Sequence, residues 1–178
     1  ELLAKENVPA SYVGHPLADM IPEQTDQQAA RESLGLEINR PVIALLPGSR
    51  QDEINYIAPR FIQAAKLIRH ELPEAQFVVP AAGAARYAQL KNLLLQEHCP
   101  VQLKQGQSHS CLAAADAVLV ASGTATLEAA LFKKPMVIAY VMPAVSWHLM
   151  KNKGYLPWVG LPNILCKDFV VPELLQDR

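Results

Sequence analysis

Short apolar runs alternate with stretches of helical periodicity along the chain, and this alternation predicts its elements. Most of the runs are apolar on both faces, which is typical of strands covered on both sides. The predicted strands are 11–16, 41–49, 75–82, 101–106, 116–122 and 135–141. The predicted helices are 25–36, one after strand 41–49 with its apolar face over 54–68, 84–98, 108–115, 125–132 and 146–153, whereas 154–165 is expected to be loop.

Residues that begin or interrupt helices refine these boundaries. Thr25 or Asp26 is the expected N-cap of the first helix, and Gly35 lies near its end. The next helix contains Pro59, which a helix accommodates without cost only in its first turn, so we expect Pro59 there. The last residues, 168–178, contain no closing helix and are expected to fray.

Strands that are each followed by a helix predict a parallel sheet with helices on both faces. Right-handed crossovers then make the fold α/β, a doubly wound Rossmann-like sheet. The 178 residues suffice for a single domain that spans 1–178. Because the chain opens without Met and inside an apparent element, we interpret it as a fragment of a longer protein.

Composition narrows the classes of partner. The net charge is −1 and basic residues are scattered, so no nucleic-acid partner is expected. Turn and charged residues break every apolar tract before the roughly 20 residues that a membrane span needs. Cys99, His109 and Cys111 match no metal-ligand spacing and no CxxC pair occurs, so we expect reduced thiols and no metal.

Ligands of open parallel sheets bind beyond the carboxyl ends of the strands, which directs attention to the strand-to-helix turns. In the turn "LLPGSRQDEI", Gly48 permits close approach of the backbone, and Ser49 with Asp52 resembles a capping box. Arg50 offers a forked cation to phosphate oxygens. Glu53 is either a helix-capping acid or the residue that orients Arg50. A capped helix and a phosphate site both remain open here.

A second unusual turn occurs in "ASGTATLEAAL". Ser122, Gly123 and Thr124 place hydroxyls, a flexible backbone and free amides at a helix start, which are the elements of an anion site. Glu128 lies one helical turn beyond Thr124 on the same face, where its carboxylate could accept hydrogen bonds from a ribose diol. An acid early in a helix is also favourable without any ligand, so this turn alone leaves both interpretations open.

Several familiar motifs are absent from the sequence. No GxGxxG follows a strand and no GxxxxGK[ST] occurs, which disfavours a dehydrogenase or a P-loop nucleotidase. Ser122 is not in a GxSxG elbow, which disfavours a hydrolase. His15 is interpreted as a turn-capping residue, and His70, His98 and His109 as surface positions.

Aromatic residues and lysines occur together near the end of the chain. Trp147, Tyr155 and Trp158 lie close to Lys151 and Lys153, a combination that suits an interfacial, lipid-contacting surface. An aromatic cluster that closes one edge of the core explains the same residues, so both alternatives stay open.

Taken together, "YVGHPLAD", "LLPGSRQDEI", "ASGTATLEAAL", "KKPMVIAYVM" and "LPNIL" followed by "VPELLQ" resemble the lipid-A-disaccharide synthase family in order and spacing. The resemblance implies the carboxyl-terminal, donor-binding half of a two-domain GT-B glycosyltransferase. It implies UDP-2,3-diacylglucosamine as donor, 2,3-diacylglucosamine 1-phosphate as acceptor, and neither a metal nor an organic cofactor. It further implies a cytoplasmic enzyme in peripheral contact with the inner membrane face, and a homo-oligomer is possible.

The resemblance also assigns residue roles. It implies a UDP-sugar donor site around the two turns, formed by Gly48, Ser49, Arg50, Ser122, Gly123, Thr124, Ala125 and Glu128. Arg50, Glu53 and Asn163 match positions implicated in activity, with Glu53 supporting the Arg50 loop. The resemblance places the catalytic base in the other half of the enzyme, so we expect the isolated chain to be inactive.

Two alternative functions stay open. Other UDP-N-acetylglucosamine enzymes of the GT-B type, such as a 2-epimerase or the peptidoglycan glycosyltransferase, share the fold and the ribose-binding acid. A non-catalytic nucleotide-binding module could use the same Rossmann-like half.

Overall fold

The computed structural model describes residues 5, 8–9, 11, 13–141 and 157–176. The helices are α1 Pro16–Met20, α2 Gln27–Leu34, α3 Gln51–Glu71, α4 Ala84–Gln96, α5 Ser108–Ala114, α6 Thr124–Leu131 and α7 Leu161–Cys166. The strands are β1 Val42–Leu46, β2 Gln76–Ala81, β3 Gln102–Gln105, β4 Ala117–Ala121, β5 Met136–Tyr140 and β6 Glu173–Leu175.

These strands form one parallel sheet in the order β3-β2-β1-β4-β5-β6. From β1 the chain moves outward through β2 to β3, and it then returns to place β4 on the other side of β1. The order therefore reverses between β1 and β4, which is the topological switch point of a doubly wound sheet. The predicted α/β fold class is confirmed.

The core consists of two layers, one on each face of the sheet. Along β1, Val42, Ala44 and Leu46 belong to one apolar cluster, and Ile43 and Leu45 belong to the other. The first cluster includes residues of α2, α5 and α6, and the second includes residues of α3 and α4. Because side chains alternate across a strand, a run that is buried throughout supplies both layers.

The predicted helix caps are largely confirmed. Asp26 caps α2 by accepting from the amide of Ala29 at 2.9 Å, and Gly35 ends the helix with φ of 67°. His15 caps α1 through Nδ1, which accepts from the amide of Leu17 at 3.2 Å.

The expectation for Pro59 is wrong, because it lies well inside α3 rather than in the first turn. An internal proline removes one intrahelical bond and costs about 3 kcal/mol. Tertiary packing of an apolar face outweighs that cost. The buried residues of this face are Ile54, Ile57, Ala58, Phe61, Ile62 and Ala65.

Three further expectations are corrected. The described residues of 11–16 contain no strand: Val13 is 90% exposed, and Pro16 opens α1 instead. Within the predicted loop 154–165, α7 forms because Pro162 fits a helix start. The segment 168–178 does not fray throughout, since β6 pairs with β5. The predicted helix 146–153 lies outside the described residues.

A polar clamp joins α2 to the amino ends of β1 and β4. The Arg31 side chain is only 9% exposed, and its Nη2 donates to Oδ2 of Asp116 at 2.7 Å. The same oxygen accepts from the amide of Val42 at 2.8 Å, while Arg31 Nε donates to the carbonyl of Ala114 at 3.0 Å. Asp116 thus joins a nearly buried cation to the first amide of β1.

Replacing Asp116 should therefore destabilise the fold. We expect Asp116→Ala to lower the free energy of unfolding by about 2 kcal/mol, because a buried cation loses its partner while the half-exposed carboxylate limits the loss. The matched control is Glu37→Ala, which removes an exposed carboxylate from Arg40 and should change stability by less than about 0.5 kcal/mol. Urea denaturation measures both; equal effects would contradict a special role for the clamp.

Candidate functional site

The candidate site is a cavity at the carboxyl edge of the sheet, at the switch point. Leu46 of β1 pairs in register with Val120 of β4, so the turns that follow the two strands lie side by side. These are the two turns that the sequence singles out. The cavity has a volume of about 400 Å³, and Gly48, Arg50, Gly123 and Glu128 contribute to its lining. A cavity of this size suits a small molecule.

Glu53 organises the turn after β1. Its Oε2 accepts from the amides of Ser49 at 3.0 Å and Arg50 at 3.1 Å, and its Oε1 contacts Nη1 of Arg50 at 2.7 Å. Gly48 has φ of 106°, and a Cβ atom there would overlap the Glu53 side chain. The turn therefore needs glycine at this position for both backbone and steric reasons.

The capping box lies one residue later than the sequence predicts. Arg50, not Ser49, is the N-cap of α3, and the acid that reaches back to the N-cap amide is Glu53 rather than Asp52. Glu53 is long enough to bond two successive amides, which fixes the helix start at Gln51. Glu53 therefore both caps α3 and contacts the side chain of Arg50.

Arg50 itself points to solvent at the mouth of the cavity. Its side chain is 81% exposed, and its described ionic contact is with Glu53 through Nη1. A guanidinium has five N–H donors, so this contact leaves most of them available to an anion. Because Glu53 occupies the amides of Ser49 and Arg50, the positive charge of this turn comes from the side chain rather than the backbone.

The turn after β4 differs, because its backbone is the main donor. Gly123 is the N-cap of α6 with φ of 144°, and no side-chain cap is found for this helix among the described contacts. Ser122 and Thr126 use their amides on the carbonyls of Ala139 and Gly123. The amides of Thr124 and Ala125, in the first turn of α6, are among those that a helix leaves without internal partners.

Glu128 lies on the cavity side of α6 and is half-buried. Its side chain is 19% exposed, and its Oε2 lies 3.5 Å from Nε2 of His109. His109 is predicted to be a surface position, and its side chain is indeed 40% exposed. It lies at the start of α5, against the carboxylate expected to contact a ribose.

Asn163 does not line the cavity. It is fully buried in α7, where its Nδ2 donates to the carbonyl of Val171 at 2.8 Å and to Oε1 of Glu173 at 2.7 Å. Its Oδ1 accepts from the amides of Val170 at 2.9 Å and Val171 at 2.8 Å. All its polar groups are occupied in fastening the segment before β6, and its expected part in activity stays a prediction.

A chain of hydrogen bonds connects this fastening to the site. Oε1 and Oε2 of Glu173 accept from the amides of Gly160 and Val159, each at 2.9 Å. The carbonyl of Val159 in turn accepts from the hydroxyl of Ser122 at 2.8 Å. Asn163 is therefore linked to the cavity through Glu173 and Ser122, although it does not touch the cavity.

The turns after β2 and β3 also reach the cavity, and sequence reasoning did not single them out. Their contributions include Ala82, Gly106 and Ser108. The sequence signal for these turns is a glycine within three residues of the end of each of β1 to β4. All four glycines have positive φ in the structure. Those glycines are Gly48, Gly83, Gly106 and Gly123.

No cysteine lies among the described residues that line the cavity. Burial raises the pKa of Cys111 to about 12, so its thiol stays protonated. In the described ranges, no group of three or more metal-ligating side chains comes together. Trp147, Lys151, Lys153 and Tyr155 lie outside the described residues. Within them, no helix has the length and apolarity needed to cross a bilayer.

Known glycosyltransferases share this fold. The E. coli ADP-heptose LPS heptosyltransferase II has a TM-score of 0.51 and 17% identity, with 77% of this chain and 41% of that chain covered. A glycosyl transferase family 9 protein from Veillonella parvula has a TM-score of 0.57 and 12% identity, with coverage of 92% and 41%. At these identities the likeness concerns the fold alone.

Sequence relatives are much closer. Lipid-A-disaccharide synthase from Albidiferax ferrireducens is 57% identical over 99% of this chain and 46% of its own length. The proteins of the same name from Verminephrobacter eiseniae and Dechloromonas aromatica are 55% and 52% identical, with 46% and 47% of their lengths covered. The chain thus spans about half the length of these relatives.

The family match covers the whole chain: residues 1–178 match the family described as lipid-A-disaccharide synthetase. Because this match extends over every residue, including both turns of the cavity, the chain belongs to the lipid-A-disaccharide synthetase family.

Proposed function

We propose that this chain is the donor-binding half of a lipid-A-disaccharide synthase. In the proposed reaction, 2,3-diacylglucosamine passes from its UDP donor to 2,3-diacylglucosamine 1-phosphate, which gives a disaccharide 1-phosphate and UDP. The single observation that carries the proposal is the convergence of Arg50, the start of α6 and Glu128 on one cavity at the switch point. Family membership supplies the reaction class.

The diphosphate is proposed to lie between the two turns. Arg50 brings an exposed guanidinium from the β1 side, and α6 brings its first amides and the positive end of its dipole from the β4 side. Gly123 has no side chain to obstruct a phosphate. The two turns provide complementary donors, one ionic and one from the backbone.

Glu128 is proposed to accept hydrogen bonds from the ribose. It lies one helical turn after Thr124, so a nucleotide whose phosphates contact the helix start would place its sugar near the carboxylate. The half-buried position of Glu128 favours such a contact, since a hydrogen bond to a charged group is stronger where water is partly excluded.

The proposed contribution to catalysis is stabilisation of the leaving group. As the bond from the sugar to UDP breaks, negative charge builds on the β-phosphate while the sugar carbon becomes oxocarbenium-like. Donors aimed at that phosphate stabilise the transition state more than the ground state. Glu53 holds Arg50 beside the cavity for this role. A base must also take the proton of the acceptor hydroxyl, and we propose that the other half of the enzyme carries it.

The proposed substrates carry acyl chains, which implies work at a membrane surface. We therefore propose a cytoplasmic enzyme that contacts the inner membrane face peripherally, and a homo-oligomer fits the same proposal. The alternative GT-B enzymes are disfavoured by the family match over residues 1–178. Turnover of the two diacylated substrates by the full-length protein would separate the synthase from a non-catalytic module.

Arg50→Ala in the full-length protein is expected to reduce kcat/KM at least about tenfold, because a charge-assisted phosphate contact is worth about 1.5–3 kcal/mol. Arg40→Ala is the matched control, since Arg40 is also a partly exposed arginine paired with an acid three residues away. Steady-state transfer assays measure both variants. Unchanged kinetics for Arg50→Ala would exclude the phosphate role.

Glu128→Gln is expected to weaken UDP binding by roughly three- to tenfold without changing the melting temperature, because the amide keeps the shape and loses the charge of the acceptor. Isothermal titration calorimetry gives the affinity and thermal denaturation the stability. The exposed Glu74→Gln serves as control. If UDP bound Glu128→Gln as tightly as the unmodified protein, the ribose assignment would be wrong.

A further inference from the structure

His109 brings a second helix to the carboxylate of Glu128. It lies in the first turn of α5, directly after the β3 turn that lines the cavity through Gly106 and Ser108. Its Nε2 lies 3.5 Å from Oε2 of Glu128. The contact joins the helix that follows β3 to the helix that follows β4, and both helices contribute to the cavity lining, through Ser108 and Glu128.

The imidazole is also held by an aromatic contact. Its ring centre lies 5.5 Å from that of Phe132, with the planes inclined by 58°, a common geometry for a ring pair. Phe132 is 6% exposed and lies one helical turn beyond Glu128. His109 therefore contacts Glu128 in α6 and Phe132 at the end of that helix, while 40% of its side chain stays exposed.

We propose that His109 is a positioning residue that selects for a ribonucleotide by holding Glu128. The inference rests on the proposed function, in which Glu128 accepts from the ribose. Nε2 of His109 lies nearest to Oε2, so in this proposal His109 engages one oxygen of the carboxylate and leaves Oε1 for a ribose hydroxyl. The ligand class that follows is a ribonucleoside diphosphate, in preference to its deoxy analogues.

The physical effect is preorganisation. A glutamate side chain has several rotatable bonds, and ordering them during binding reduces affinity. A carboxylate already fixed by His109 avoids part of that loss. The separation of 3.5 Å is within ion-pair range and longer than a hydrogen bond, and polar contacts in unliganded sites often shorten when the substrate binds.

Two substitutions separate the N–H donor of His109 from its ring. His109→Phe keeps an aromatic ring against Phe132 and removes the donor, whereas His109→Gln keeps an N–H donor and removes the ring. In the full-length protein, UDP, 2′-deoxy-UDP and 3′-deoxy-UDP are titrated by calorimetry. The measured quantity is the ratio of the affinity for UDP to that for the weaker-binding deoxy analogue.

The unmodified protein and His109→Gln are expected to prefer UDP to similar extents. His109→Phe is expected to lower the ratio by roughly fivefold, since a partly exposed ion-pair contact is worth up to about 1 kcal/mol, which corresponds to that factor. Affinity for the deoxy analogue should change little. His70→Ala is the control, because His70 is an exposed histidine near the far end of α3.

The outcomes distinguish the inference from the function on which it rests. An unmodified protein that binds UDP without preferring it to either deoxy analogue, or fails to bind it, overturns the ribose role of Glu128 and the inference with it. A preference that survives in His109→Phe, or equal losses of affinity for all three nucleotides, overturns the inference alone. If His109→Phe does not fold, His109→Ala replaces it, with the same loss of preference expected.

Discussion

The pairing of β1 with β4 is the constraint on which the site depends. All the strands of the sheet are parallel, so the turns after β1 to β4 emerge at one edge, but only at a reversal of strand order do two turns diverge and leave a crevice. Leu46 and Val120 lie in register, which brings the Arg50 turn beside the start of α6. At the opposite edge, Asp116 joins the two strands through the amide of Val42 and so supports the same alignment.

Within that crevice, acidic side chains arrange the groups that an anion would meet. Glu53 uses both oxygens on its own turn, so it fixes the position of Arg50 while leaving most of the guanidinium donors unused. Glu128 is shared in a similar way between His109 and the cavity. In each case a contact within the protein, with Arg50 or with His109, fixes the position of a carboxylate beside the cavity. This division of roles makes the acids of the cavity compatible with the diphosphate that we propose it binds.

The fold and the two turns could be predicted from sequence because their signals are local. A continuous apolar run, a glycine after a strand and an acid one helical turn after Thr124 each act within a few residues. Most of the failures have non-local causes. Pro59 is tolerated because of packing on the sheet, and neither the partners of Asn163 nor the neighbour of His109 can be inferred from spacing, since these contacts join separate elements. The cap at Arg50 has a local cause: it depends on whether Asp52 or Glu53 accepts from the amide at the start of the helix, and both are close enough in sequence.

The attachment of Ser122 has a consequence for the thermodynamics of the site. Its hydroxyl is bonded to Val159, which is bonded to Glu173 in β6, a strand of three residues at the edge of the sheet. Short edge elements open locally at a fraction of the free energy of global unfolding. Opening of β6 would release the loop that holds the Ser122 turn. At the proposed site, the fraction of molecules ready to bind would then follow a local unfolding equilibrium at the sheet margin, and we expect ligand binding and the ordering of the last strand to favour each other.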